Sequence, residues 1–345
     1  MKIGIFTYTV SGVDPWDPDS IQSGIMGSEE AVIYMSKELA AKSYQVLVIG
    51  HPPKGSSHSL PGANPRYVDQ SFSLLEPLDI AIAWRSPEIG ALLKERNIAK
   101  KAYLWPHDTI DHLKTVPSAG LDGVLWLSEW QRRHWIATSP AYARFTEIFG
   151  NGIDEQQFTP VEERHNPYSC IYGSNYARGL EILLSIWPTV KERFPKATLD
   201  VYYGWEHWGL LAPEKEQWMR HAIAHLPDVY DHGKVGHLEL NRAYAKASFW
   251  TYPCIKPETF CITALRAQLS GAIPIILEGS ALSETVQHGY KCQRPEEYLS
   301  TLLHAMEKAP TISLEERETM GDFVLRQYTW KTLAAQWSAL FEMRR

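Results

Sequence analysis

Val161-Glu-Glu-Arg-His-Asn-Pro167, then Ser169-Cys170-Ile171-Tyr172, then Gly173-Ser174-Asn175-Tyr176-Ala177-Arg178-Gly179: on this stretch the reading of the chain turns. A polar segment ending in proline gives way to a short apolar run. A glycine-bearing loop follows, and then a helical pattern near Gly179–Arg193. A strand–loop–helix unit therefore starts afresh in mid-chain. Downstream, the runs Thr198–Tyr203, Ser248–Tyr252 and Ile273–Leu277 alternate with helices near Pro213–His225, Glu239–Lys246 and Phe260–Ser270. Upstream, Lys2–Val10, Gln45–Gly50, Asp79–Trp84, Ala102–Trp105, Gly123–Leu127 and Phe145–Phe149 read as strands. Between them Glu29–Lys42 places Val32, Met35 and Leu39 on one helical face, with Ser28 as its expected N-cap and Glu29 and Glu30 at the positive end of its dipole. Ser128 and Gln131 have capping-box spacing before another helix. Such alternation means parallel, doubly wound sheets, so the expected class is α/β with two Rossmann-like halves facing across a cleft. The halves are expected at 1–160 and 161–327. A last amphipathic helix, Thr329–Glu342, lines up Trp330, Leu333, Trp337 and Phe341.

Length and composition agree. The chain has 345 residues, enough for two cores. Its 34 basic and 40 acidic residues give 34 − 40 = −6, which argues against nucleic acid as a partner. Hydrophobic content of 44% and charged content of 21% exclude disorder and fibres. No run approaches the length of a membrane span, and the N-terminus lacks the features of a secretion signal. Cys170, Cys254, Cys261 and Cys292 are scattered without a Cys-x-x-Cys, which points to a reducing cytoplasm rather than zinc or disulfides. Trp outnumbers Phe, 13 to 10; most of these indoles are expected to be packing, although their faces also suit sugars and bases.

Several segments carry chemistry, each with a plain structural alternative. Ser23–Glu29 links the first strand to the first helix; its glycines let backbone approach a phosphate, or serve an ordinary turn. It is no G-x-G-x-x-G, which disfavours a nicotinamide enzyme. The loop with Asp14, Asp17 and Asp19 carries three carboxylates, of which Asp17 and Asp19 could offer oxygens to a metal, but the prolines among them favour a solvated turn. His107, with Asp108 to orient it, ends a strand and suits contact with a substrate hydroxyl, or is structural. Arg178 opens a helix and suits bidentate phosphate binding, or a surface ion pair. Glu258 suits sugar hydroxyls, and the amides of residues 259–262 face an anion. Asn151-Gly152-Ile153-Asp154 makes a tight turn at the cleft floor. Trp205, Glu206, His207 and Trp208 form an aromatic loop, for a ligand or for packing. Basic clusters at Lys94, Arg96, Lys100 and Lys101, and at Arg132, Arg133 and His134, suit at most peripheral contact with anionic headgroups, or are solvated helix faces.

Taken together, and in order along nearly the whole chain, these pieces resemble the retaining glycosyltransferases of family 4, which have the GT-B fold. The matching segments are Gly27-Ser28-Glu29, Trp105–Asp108, Ser128-Glu129-Trp130-Gln131 and Asn151–Asp154. They continue with Arg178-Gly179-Leu180-Glu181, Gly233–Val235 through Leu240 and Tyr244, Pro257–Leu265 and Ala281–Val286. The resemblance implies transfer of a sugar from a nucleotide-sugar donor to a glycan, lipid or other hydroxyl acceptor, with retention and without a metal or other cofactor. It implies that the second domain binds donor and the first binds acceptor. His107 and Glu258 become the expected catalytic residues. Gly27, Ser174, Arg178, Val235, Thr259, Phe260, Cys261, Ile262 and Arg266 become the expected donor contacts, with Asp108 and Asn151 in the cleft. Residues 328–345 become a helix crossing back to the first domain.

Three positions depart from the family pattern. The second Glu of Glu-x7-Glu is Arg266, left to contact phosphate or to pair with Glu284. The Gly-Gly pair of the first loop is Met26-Gly27, and Tyr172-Gly173-Ser174 stands where a Gly-Arg is usual. Two other classes therefore stay open, a catalytically silent nucleotide-sugar binder and a nucleotide-sugar epimerase. A metal-dependent transferase using Asp17 and Asp19 fits poorly with the restarting pattern.

Overall fold

The computed structural model describes residues 1–8, 14–73, 77–112, 117–205 and 211–343. The chain divides into two units, one comprising 1–21, 25–152 and 328–345, the other 22–24 and 153–327. Among the described residues each unit is built on a six-stranded parallel sheet.

In the first unit the strands are β1 (Lys2–Phe6), β2 (Gln45–Gly50), β3 (Arg66–Asp69), β4 (Leu78–Trp84), β5 (Ala99–Trp105) and β6 (Gly123–Val124). Their spatial order is β3-β2-β1-β4-β5-β6. The helices are α1 (Gly27–Ala41), α2 (Pro87–Glu95) and α3 (Glu129–Thr138). Apolar runs such as Leu78–Trp84 are buried almost throughout, as strands covered on both faces must be. Because the order reverses between β1 and β4, the connections leave in opposite directions there and open a crevice at the carboxyl ends.

The second unit repeats the scheme with β7 (Ser169–Gly173), α4 (Leu180–Arg193), β8 (Thr198–Tyr202), α5 (Pro213–His225), β9 (Val229–Gly233) and α6 (His237–Lys246). It continues through β10 (Phe249–Tyr252), α7 (Ile262–Leu269), β11 (Ile273–Leu277), α8 (Leu282–Thr285), β12 (Tyr290–Cys292), α9 (Tyr298–Lys308) and α10 (Leu314–Gln327). The strand order is β12-β11-β10-β7-β8-β9, so the switch point lies between β7 and β10.

The final helix, α11 (Trp330–Met343), belongs to the first unit and lies against α1. The Trp330 ring stacks on Tyr34 at 6.3 Å, and Trp337 meets Trp105 edge-on at 4.7 Å. Gly152 is the residue that permits this: a Cβ there would lie 2.7 Å from the Trp330 ring.

Three local expectations are corrected. The first helix begins at Gly27, not after Ser28; Met26 is its N-cap, and the Ser28 hydroxyl is spent on the Glu29 carboxylate at 2.7 Å. Phe145–Phe149 forms no strand but one bridge, Trp126 to Ile148, and Ile148 is itself exposed. The helix expected near Gly179–Arg193 is found at Leu180–Arg193; the loop before it contains a 3-10 turn, Tyr176–Arg178, with Gly179 left-handed at φ 108° between them. The Ser128–Gln131 box is half formed: Ser128 Oγ accepts from Gln131 N–H at 3.0 Å, while Gln131 Oε1 accepts from Leu127 N–H.

Candidate functional site

Both switch points carry an arginine held by a carboxylate, buried in the case of Arg85 and half-buried in the case of Arg178. In the first unit Arg85 follows β4, with its backbone at φ 67° and its N–H donating to Trp105 C=O at 2.9 Å. A β-carbon residue in the left-handed region is strained, and this one is fixed by its side chain. Nε and Nη2 each donate to an Asp108 oxygen at 2.6 Å, and the guanidinium lies over the Trp84 ring at 4.9 Å. Burial works against the Arg85 charge, but the Asp108 hydrogen bonds and charge outweigh it and raise its pKa.

His107 lies between Trp84 and Trp105, with centroids at 6.2 and 4.6 Å. Burial, helped by the Arg85 charge, holds its pKa well below the usual value, so the imidazole is neutral at pH 7. The segment carrying it is pinned from α3. Gln131 Nε2 donates to the carbonyls of Pro106 (2.7 Å) and Asp108 (3.2 Å), and Trp135 Nε1 donates to Asp108 C=O at 3.1 Å. Glu29, in the first turn of α1, is fully buried and its Oε1 has no hydrogen-bond partner. Burial, only partly offset by the Ser28 hydrogen bond, raises its pKa.

In the second unit Arg178 leaves the β7 end and Glu258 follows β10. Arg178 Nη1 donates to Glu258 Oε1 at 2.7 Å, and Tyr252 O–H donates to the same oxygen at 2.5 Å. The Cys254 thiol makes a third, longer contact to it at 3.8 Å. Among the described residues these three groups crowd one oxygen, Oε1. The Glu258 charge is the largest influence on Arg178 and raises its pKa. Burial, with Glu258 adding, pushes the Cys254 thiol up to about 11, so it is no nucleophile at neutral pH. Gly179 makes the meeting possible: a Cβ there would run into Pro253 C=O, quite apart from the positive φ. The Glu258 backbone is tied down by Ser280, whose Oγ accepts its N–H at 2.9 Å, and by Ala281, whose N–H donates to its carbonyl at 3.1 Å.

No family model and no curated protein matches the chain in sequence. In structure it is similar to sucrose-phosphate synthase from Thermosynechococcus elongatus, with a TM-score of 0.74 at 15% identity over 99% of this chain and 98% of that one. It is similar also to Anabaena HepE in complex with UDP and glucose, with a TM-score of 0.75 at 15% identity over 99% and 100%. The pneumococcal O-GlcNAc transferase GtfA in complex with UDP and GlcNAc gives 0.68 at 12% identity over 99% of each chain. The chain has the GT-B fold.

Within that GT-B frame, the expected site residues fall into two groups. Gly27, His107, Asp108 and Asn151 lie in the first unit, where His107 and Asp108 join Arg85 at the switch point. Gly27 is the first residue of α1, and Asn151 is buried with its Oδ1 unpartnered. Ser174, Arg178, Val235, Thr259, Phe260, Cys261, Ile262 and Arg266 lie with Glu258 in the second. Ser174 Oγ is 3.2 Å from Tyr252 O–H, which joins it to the Arg178–Glu258 pair. Thr259 and Phe260 lead into α7, Cys261 is its N-cap and Ile262 its first residue. Val235 sits in the turn between β9 and α6, where Gly24 approaches so closely that a Cβ would collide with Val235 C=O. Arg266 is buried on α7, and its Nη1 donates to Asn241 Oδ1 of α6.

Sequence reasoning missed Arg85, Tyr252 and the unpartnered oxygen of Glu29. Arg85 and Tyr252 end or follow strands beside switch points, and that position was the available signal. Other segments resolve plainly. Asp17, Asp19 and His58 lie together, but Asp17 Oδ2 accepts from Ser56 Oγ at 2.6 Å and Oδ1 from Asp19 N–H at 2.9 Å, a staple between two loops. Lys94 pairs with Asp122, Lys100 with Asp79, and Arg132 and Arg133 with Glu129, so those basic clusters are largely answered by carboxylates. Residues 206–208 of the aromatic loop lie outside the described residues; Trp205 donates to Asp231 Oδ2 at 2.8 Å. No helix among the described residues is long and apolar enough to cross a membrane.

Proposed function

We propose that this protein is a retaining glycosyltransferase that takes its sugar from a nucleotide-sugar bound by the second unit and passes it to an acceptor hydroxyl bound by the first. The observation that carries the proposal is the Arg178–Glu258 pair beside the β7/β10 switch point. It sets a phosphate-binding cation against a sugar-binding carboxylate, one turn from the N-terminus of α7. In this reading Glu258 Oε2 accepts hydroxyls of the donor sugar. Arg178 and the amides of residues 259–262 take the diphosphate and stabilise the charge that develops on it as the glycosidic bond breaks. That task needs no metal, since cation and helix dipole supply the positive charge. Val235, at the β9–α6 turn, meets the base, and neutral His107 serves as a hydrogen-bonding partner beside the sugar. The GT-B neighbours crystallised with UDP-glucose, or with UDP and GlcNAc, support a donor of this class. Four free, buried cysteines support a cytoplasmic setting.

A thermal-shift panel of UDP, GDP, ADP and their sugar conjugates, with and without EDTA, tests the reading. A donor at 100-fold over its Kd adds about 2.7 kcal/mol of stability, a readily seen shift. The expected result is a shift with one nucleotide family, unaltered by EDTA. No shift at millimolar ligand defeats the proposal. A shift without turnover, with acceptors supplied, leaves a nucleotide-sugar binder.

A further inference from the structure

We propose that the crevice at the β1/β4 switch point is the seat of an uncharged, hydroxyl-rich sugar, gripped by Glu29, and that it rejects a phosphorylated one. The inference rests on the glycosyltransferase reading and adds the chemical class of the acceptor. It starts from an oxygen with nothing to hold. Glu29 is fully buried, Ser28 O–H occupies its Oε2 at 2.7 Å, and Oε1 is unpartnered. A buried polar atom left unsatisfied is costly, and beside a switch point it marks a contact that a substrate completes. An O–H of a sugar is the natural donor to it.

The charges around it decide against an anion. Arg85 is the crevice's cation, and its Nε and Nη2 are both committed to Asp108. A phosphate entering here meets the carboxyls of Glu29 and Asp108 while the guanidinium is already neutralised. Half-buried Tyr8, whose ring is backed by fully buried Trp84 with centroids 5.3 Å apart, adds aromatic surface of the kind that packs against the C–H face of a sugar ring. Asp108, with its side chain 26% exposed, and half-buried Tyr8 leave the crevice open to solvent.

Saturation-transfer NMR on the full chain, with methyl α-glucoside and with glucose 6-phosphate as probes, tests this. The wild type should bind the glucoside at least about tenfold more tightly than the phosphosugar. Glu29→Ala should weaken the glucoside about tenfold or more, as for a lost charge-assisted hydrogen bond. Glu29→Gln, which keeps an accepting oxygen, should stay within about threefold of wild type. Equal or tighter binding of glucose 6-phosphate by the wild type overturns the proposal, whatever the variants do. So does glucoside binding that neither substitution alters, or that both abolish alike. Binding of UDP, GDP or ADP by the same wild-type sample separates the two readings. Sugar preference without binding of any of the three sinks the transferase reading alone, and nucleotide binding without sugar preference sinks this one alone.

Discussion

Two residues illustrate how opposite environments set opposite roles. Arg178 is an arginine whose partner, Glu258, is also the group it must share with a ligand; the pair is partly open, with 33% of the Arg178 side chain exposed. Arg178→Ala should weaken nucleotide-sugar binding by about 2–3 kcal/mol, roughly 30- to 150-fold, with the melting temperature of the free protein little changed. Isothermal titration with the nucleotide identified by thermal shift checks this, and unchanged affinity moves the diphosphate elsewhere. Glu29 is the converse, a carboxyl whose burial raises its pKa. At pH below about 4.5 it is protonated folded and unfolded, so Glu29→Gln should then be nearly neutral for stability. Above that, the unfolded chain ionises first, the folded state binds the extra proton, and wild-type stability falls as pH rises until the folded pKa is passed. Glu29→Gln should therefore become progressively more stabilising from about pH 4.5 upward and then level off. Denaturant melts at pH 4, 6 and 8 decide it; a difference independent of pH removes the argument.

At the scale of elements, the legible part of the fold was the part that buries its side chains. Asp79–Trp84 and Ile273–Leu277 announce themselves because a strand covered on both faces must be apolar. The strands β3, β9 and β12 passed unseen, and each is an edge. The β9 sequence Val229-Tyr-Asp-His-Gly233 exposes its three central residues, so its identity as a strand comes from pairing with β8 and not from its own pattern. The candidate site divides similarly. Glu258, Arg178 and His107 were legible because loop chemistry sits at fixed offsets from strands and helices. Arg85 was not, because a left-handed arginine is selected by a tertiary contact with Asp108 that no local rule encodes. The loop between β7 and α4 was legible as a glycine-bearing turn, but the 3-10 turn Tyr176–Arg178 inside it was not. Gly179 ends that turn so that Arg178 can point toward β10. Gly179→Ala should accordingly do more than add a positive-φ penalty of roughly 1–2 kcal/mol, because its Cβ also meets Pro253 C=O. The expected outcome is a lower melting temperature together with weakened nucleotide binding. If binding falls no further than stability predicts, Gly179 does not position Arg178.

Over the whole molecule the same device occurs twice: a six-stranded parallel sheet, a reversal of strand order, and beside it an arginine fixed by a carboxylate from the neighbouring strand's end. What differs is what completes each core. The second unit's core, from Cys170 to Met320, is drawn from one continuous stretch of chain. The first unit's is finished by α11, contributed after the second has been traversed. Trp330, Leu333, Trp337, Leu340 and Phe341 are all buried there, with Phe341 against Tyr103 at 5.1 Å and Trp337 against Phe149 at 6.3 Å. Full burial of such a side chain contributes about 1.5–3 kcal/mol, so five of them amount to on the order of the 5–15 kcal/mol by which a whole domain is stable. Deleting residues 328–345 should therefore unfold the first unit selectively. Trypsin should degrade 1–152 and spare 153–327, near-ultraviolet circular dichroism should lose the Trp84 and Trp105 environments, and the nucleotide-dependent thermal shift should survive. The alternative, a truncated chain that resists trypsin throughout, requires the first unit to be stable without its last helix, because the residues that α11 covers, Tyr103 and Trp105 among them, would otherwise stand open to water.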